Sequence, residues 1–225
     1  MYRIRFHGRG GQGMKTASRI LGSALFAEGF EVQDAPRYGA ERRGAPIFAY
    51  VRADRTPINE RGIIRRPDLV VVADDTLIPI PAAAVLAGID AQTLLLIRSQ
   101  ETADTWRTRL NTAAQILVLP MDGDLMDRAG LPYVGAACAG AAARLLGVVS
   151  QAALAQGLNE ELAMHDESVR QRNLQTSLAA YQMLEDEAGR VREGPEVDAA
   201  DYVSPDWVNL PFDHARVAAP VIHAA

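Results

Sequence analysis

His7-Gly-Arg-Gly-Gly-Gln-Gly-Met-Lys-Thr-Ala17, HGRGGQGMKTA, is the stretch on which the fold turns. Before it, Tyr2, Ile4 and Phe6 alternate with Arg3, Arg5 and His7, the period of a strand with two unlike faces. After it, Ala17, Ile20, Leu21, Ala24 and Leu25 fall at i, i+3, i+4, i+7 and i+8, which is one stripe of a helix. Gly29 closes that helix, and Phe30–Asp34 reads as a second short strand. The order is therefore strand, glycine loop, helix, strand.

Two phosphate-binding patterns compete for the loop. A nucleotide-hydrolase P-loop needs GxxxxGK followed by Ser or Thr, so that lysine reaches the terminal phosphates and the hydroxyl meets magnesium. Gly8 and Gly13 have the right separation, but Met14 intervenes before Lys15 and Thr16. One residue turns a helical side chain by about 100°, which takes both groups off target. The dinucleotide pattern GxGxxG is met by Gly8, Gly10 and Gly13, with Asp34 on the next strand where a ribose-binding acid belongs. Against it, a first Rossmann strand is buried on both faces, whereas Arg3 and Arg5 line one face here. A third reading needs no ligand: the glycines permit a tight turn and close helix packing. On these residues alone, a stand-alone NAD(P)- or flavin-binding oxidoreductase using Asp34 and a purely structural loop both stay open.

Downstream, Ala35–Pro46 is a charged loop punctuated by Gly and Pro, and Ile47–Ala53 reads as a strand. Leu69–Asp75, Thr93–Ser99 and Ala114–Pro120 are apolar runs with helical stretches expected between them, the style of buried parallel strands. The predicted fold is a three-layer α/β/α Rossmann-like domain with a mostly parallel sheet. Gly135–Val149 reads as a small-residue helix able to approach another backbone closely, Ser150–Leu162 follows it, and Leu174, Leu178, Tyr181 and Leu184 mark one more amphipathic helix. The domain spans residues 1–194. Residues 195–225 have scattered prolines and no period, yet keep Tyr202, Trp207, Leu210 and Phe212, so an extended tail lying on its own or a partner's surface is expected.

Composition narrows the function. The net charge of −5 disfavours nonspecific nucleic-acid binding. Residues 1–27 nevertheless hold Arg3, Arg5, Arg9, Lys15 and Arg19 with no acidic residue, so the glycine loop sits in a positive segment that favours an anionic neighbour. No stretch reads as a membrane span and MYRIRFHG lacks an apolar signal core, which points to the cytoplasm. The single cysteine, Cys138, lies among small residues and reads as core packing; an iron–sulfur cluster needs about four thiolates. His7, His165, His214 and His223 show no metal-ligand spacing and read as solvated or locally bonded, and Asp74 and Asp75 read as an ordinary strand end. No metal site and no catalytic residue is expected in this chain.

GRGGQG followed by a small-residue helix, then YGAERRGAP from Tyr38 to Pro46, a strand, RTPI and LVVVADD, resembles the gamma subunit of the 2-oxoacid:acceptor oxidoreductases. These are the thiamine-diphosphate, iron–sulfur enzymes typified by pyruvate:ferredoxin oxidoreductase. The likeness covers roughly residues 1–185, and the pair of motifs is far more specific than either alone; Ala45 stands where a second glycine is common. The tail lies outside it and marks an expected subgroup, with aromatic 2-oxoacid members such as phenylglyoxylate dehydrogenase as a candidate home.

The resemblance implies a chain that catalyses no step itself. No GDG thiamine signature with a downstream Asn is present. Thiamine diphosphate with its magnesium is implied on alpha and beta subunits, and [4Fe-4S] clusters on a delta-type ferredoxin-like subunit, with room for an additional electron-transfer subunit. Coenzyme A is the ligand the resemblance suggests for the loop formed by Gly8, Arg9, Gly10, Gly11, Gln12, Gly13 and Lys15, through backbone N–H groups at a helix N-terminus. Tyr38, Glu41, Arg43 and Gly44 form a second candidate loop, facing the thiamine or coenzyme A pocket, or, in the plainer reading, stiffening an interface by pairing Glu41 with arginines.

Overall fold

The alternating residues at the N-terminus become the third strand of a six-stranded sheet in the computed structural model, which describes residues 1–37, 44–121 and 134–194. The elements in chain order are β1 (Tyr2–Arg9), α1 (Met14–Ala27), β2 (Glu31–Arg37), β3 (Pro46–Asp54), β4 (Leu69–Val72), β5 (Leu94–Arg98), α2 (Ala103–Leu110), β6 (Gln115–Leu119), α3 (Gly135–Leu146), α4 (Gln151–Glu161) and α5 (Glu167–Met183). The sheet order is β2-β3-β1-β4-β5-β6. β1, β4, β5 and β6 run parallel, and β3 is antiparallel to both β1 and β2. The predicted α/β class with a mostly parallel sheet flanked by helices is what the chain forms.

Two expectations need correction. Between β4 and β5 there is no α-helix but a pair of 3₁₀ turns, Asp75–Leu77 and Pro81–Ala83. Pro79 and Pro81 withhold the N–H groups a longer helix would need there. Nor does β2 lie beside β1: β3 is inserted between them, so Asp34 pairs with Val51 two strands from the glycine loop.

Each face of the sheet has its own core. On one, Ile4, Phe6, Leu69, Val71, Leu94 and Leu96 meet α1 and α3. On the other, Val70, Val72, Leu95, Ile97 and Ile116 meet Leu77, Ile78 and Trp106 of the 3₁₀ segment and α2. The predicted α1 stripe is fully buried, and its Ile20, Leu21 and Leu25 each contribute roughly 1.5–3 kcal/mol. Small residues let the helices close on one another. A Cβ on Gly140 of α3 would stand 2.0 Å from the Ser177 carbonyl oxygen of α5, and one on Gly157 of α4 2.7 Å from that of Ile20 in α1. Contacts of 3.0 Å or less at a Cβ require something to move, so these crossings depend on glycine.

β1 is buried on both faces despite its charges. Arg3 and Arg5 are only 3% and 4% exposed. Arg3 faces Arg52 across the β1–β3 ladder, and both donate to Glu60. The Asp68 carboxylate accepts the Arg3 N–H at 2.6 Å. Burial pushes that carboxyl up to about 6, against the pull of its hydrogen bonds. Met1–Gly194 forms one compact unit. The predicted tail 195–225 and the loop residues Tyr38, Glu41 and Arg43 lie outside the described residues.

Candidate functional site

β1, β4 and β5 are parallel, so the segments that follow them emerge at one edge of the sheet. β1 has an antiparallel neighbour on one side and a parallel one on the other, which opens a crevice where the strand order turns. The glycine loop, Asp74–Thr76 and Arg98–Ser99 gather there, with the start of α3.

The loop is held by its own backbone. The Gly10 N–H donates to the Ala45 carbonyl at 2.9 Å, the Gly44 N–H to that of Gly10 at 3.1 Å, and the Gln12 N–H to that of Arg9 at 3.0 Å. Gly11 and Gly13 have positive φ, 103° and 84°, conformations L-residues rarely adopt. A Cβ on Gly8 would lie 2.6 Å from Met14 Cγ, and one on Gly135 2.4 Å from the Gly13 carbonyl oxygen. The Val134 N–H donates to the Gln12 carbonyl at 3.3 Å. α3 thus clamps the loop against β1.

Side chains complete the clamp. Gln12 is buried; its Oε1 accepts the Arg9 N–H at 2.8 Å and its Nε2 donates to Asp74 Oδ2 at 3.3 Å. Arg9 donates through Nε to Asp74 Oδ2 at 2.8 Å, through Nη1 to the Gly44 carbonyl at 3.1 Å and through Nη2 to Thr76 Oγ1 at 2.7 Å. Asp74 also caps the first 3₁₀ turn by accepting the Thr76 N–H, while Asp75 accepts from Ser99 Oγ at 2.6 Å. These are the strand-end bonds expected of that pair.

The positive charge of Arg9 is therefore neutralised by Asp74, and Lys15 stands exposed on the first turn of α1. The N–H groups of Gly11 and Gly13 donate to no acceptor among the described residues. They sit at the N-terminus of a 14-residue helix, where the macrodipole favours an anion. What this edge can do chemically is bind negative charge through backbone donors.

Of the predicted residues, the structure brings together Gly8, Arg9, Gly10, Gly11, Gln12, Gly13, Lys15 and Gly44. Asp74, Thr76 and Gly135 join them without having been singled out for the loop; the only sequence signal was the Asp-Asp-Thr that ends an apolar run. Cys138 is sealed in the core, where burial pushes its thiol up to about 12, so the chain's single thiol does not fit a cluster. His7 is buried and donates through Nδ1 to the Ala83 carbonyl at 3.1 Å. Burial holds its imidazole down at about 3, neutral at physiological pH. No group of three or more metal-ligating side chains occurs among the described residues.

Sheet order, helical layers and a clamped glycine loop at the switch point define a Rossmann-like α/β domain. Residues 3–183 match the family Pyruvate ferredoxin/flavodoxin oxidoreductase. The Pyruvate/ketoisovalerate oxidoreductases common subunit gamma of Thermococcus kodakarensis is 36% identical over 161 residues, 71% of this chain and 86% of that one. Pyruvate synthase subunit PorC of Methanothermobacter marburgensis is 32% identical over 184 residues, 82% and 98% of the two chains. The crystal structure of pyruvate oxidoreductase subunit PORC from Thermotoga maritima superposes with a TM-score of 0.63 at 29% identity, over 80% of this chain and 95% of that one. The chain belongs to the pyruvate ferredoxin/flavodoxin oxidoreductase family and is of its gamma type.

Proposed function

We propose that this chain is the gamma subunit of a multisubunit 2-oxoacid oxidoreductase and that it forms part of the coenzyme A entrance without catalysing a step. In the overall reaction the bond between C1 and C2 of the 2-oxoacid breaks and carbon dioxide leaves. The acyl carbon bonds to the thiol sulfur of coenzyme A, which loses its proton, and two electrons pass to an acceptor. Thiamine diphosphate and clusters on alpha, beta and delta-type chains supply that chemistry; this chain's residues orient and bind.

The observation that carries the reading is the pair of N–H groups, Gly11 and Gly13, that have no acceptor among the described residues at the head of α1. Coenzyme A brings phosphates, and backbone donors at a helix N-terminus suit them. In this reading Arg9 braces the loop through Asp74, and Lys15, exposed on the first turn of α1, presents positive charge to the ligand. The relatives whose names give a substrate name pyruvate and ketoisovalerate, so the reading stays at the 2-oxoacid class and does not extend to aromatic acids. The nicotinamide reading loses its ribose partner, since β3 separates Asp34 from the loop.

The test is Lys15→Met in the assembled enzyme. A lost charge-assisted contact raises the apparent KM for coenzyme A about tenfold or more at nearly constant kcat. A wild-type KM contradicts coenzyme A contact at this loop.

A further inference from the structure

The face of β1 and β3 turned away from α1 carries a second site, independent of the glycine loop. Three cross-strand pairs lie on it: Arg3 with Arg52, Arg5 with Tyr50, and His7 with Phe48. The first pair has a carboxylate within reach, because Arg3 and Arg52 share Glu60. Arg5, one pair further along and equally buried, has no carboxylate partner among the described residues. Its Nη2 donates to the Val85 carbonyl at 2.9 Å, and its Nε has no partner among the described residues. Burying a cation without a counter-charge costs several kcal/mol, so the site is built for an anion.

A cavity of about 310 Å³ opens at this point. Arg5 and His7 line it together with Phe48, Tyr50, Ile63 and Ile64, and Arg65 stands exposed at its rim. At about 30 Å³ for a water-sized group, it holds roughly ten non-hydrogen atoms. Because His7 Nδ1 donates to Ala83, the ring's Nε2 is left as an acceptor, also without a partner among the described residues. A neutral histidine adds no second positive charge. The buried Arg5 guanidinium, set among apolar side chains, matches one carboxylate, while the exposed Arg65 at the rim is screened by solvent and adds little to the charge inside. The wall is a strained piece of chain: Ala84, a non-glycine, sits at φ 49°.

We propose that this pocket binds a small monocarboxylic acid with an apolar body, its carboxylate directed at Arg5 and its hydrocarbon part between the Phe48–Tyr50 floor and the Ile63–Ile64 rim. Phenylacetate has the right size and charge as a probe, and phenylacetamide is its uncharged isostere. Both are titrated into the full chain by calorimetry and ligand-observed NMR. Saturable binding of phenylacetate is expected, about tenfold or more tighter than that of the amide. Arg5→Met removes the charge but acts in the core, so the decisive variant is Ile63→Trp. Ile63 is 46% exposed, and a larger side chain there fills the mouth without disturbing the sheet. It should lower phenylacetate affinity about tenfold or more with Tm unchanged. Equal affinity for acid and amide, full binding by Ile63→Trp, or no saturation up to about 10 mM would overturn the proposal. The titration is repeated on the assembled enzyme, where binding is expected to persist; its loss would mean that a partner's own side chain occupies the pocket, and would overturn the assignment of a free ligand.

Discussion

A methyl group on Gly135 has nowhere to go, because the Gly13 carbonyl oxygen would be 2.4 Å away. Gly135→Ala must push α3 off the loop, and overpacking of this kind costs about 1–3 kcal/mol. The loss is measured by denaturant unfolding, and an unchanged midpoint would show that the clamp is slack. Asp74→Asn acts on the same assembly by charge. It leaves the Arg9 guanidinium without its counter-ion, and the expected loss of stability is about 1.5–3 kcal/mol. At this scale the sequence was half legible. Gly8, Gly10 and Gly13 announced a turn before a helix, because glycine spacing is local information. That Gly13 rests on Gly135, or that Arg9 turns inward to Asp74, depends on contacts between residues far apart in the chain. Arg9, offered by the sequence to an anion, is also tied to Asp74 within the protein.

β1 shows the same division at the scale of an element. Alternation identified the strand correctly, but a period of two says only that its faces differ, not that the charged one meets water. Glu60, the carboxylate that Arg3 and Arg52 share, lies between the predicted strands Ile47–Ala53 and Leu69–Asp75, where no pattern tied it to the sheet. The prolines that reduced the β4–β5 connection to 3₁₀ turns were visible, yet the repeated apolar runs outweighed them. Burying His7 and Asp68 has opposite consequences for stability. The His7 imidazole titrates at about 6.5 when unfolded and at about 3 when folded. Its contribution is complete above pH 6.5 and is lost as pH falls toward 3. The Asp68 carboxyl titrates at 3.8 unfolded and about 6 folded, so its contribution is complete below 3.8 and is lost as pH rises through 6. Over the interval from about pH 6.5 to 4.5, His7→Gln should spare the protein up to about 2–3 kcal/mol of acid-induced loss. Asp68→Asn should steepen that loss. Denaturant unfolding at several pH values compares the three proteins, and parallel curves would show that neither group is titrating as its burial requires.

For the whole molecule, the class of fold and the family were legible together, because the two loop motifs stand at a fixed distance on either side of one helix and one strand. The exact sheet was not. A strand that follows a glycine loop and helix is ordinarily the neighbour of the first strand; here β3 takes that place, and only pairing in space reveals it. That insertion departs from the strand order of a dinucleotide-binding domain, since it carries Asp34 away from the loop while the glycine loop still opens α1. In the proposed function, a chain with one sealed thiol and a clamped backbone loop positions a substrate for chemistry done on other chains.

That claim is tested most directly by reconstitution. 2-Oxoacid- and coenzyme A-dependent reduction of a viologen dye is followed for the pure chain, for its partner subunits without it, and for the assembled complex. Turnover is expected only in the complex. Oxidation of a 2-oxoacid by the isolated chain, or full coenzyme A-dependent turnover by partners lacking it, would contradict the account.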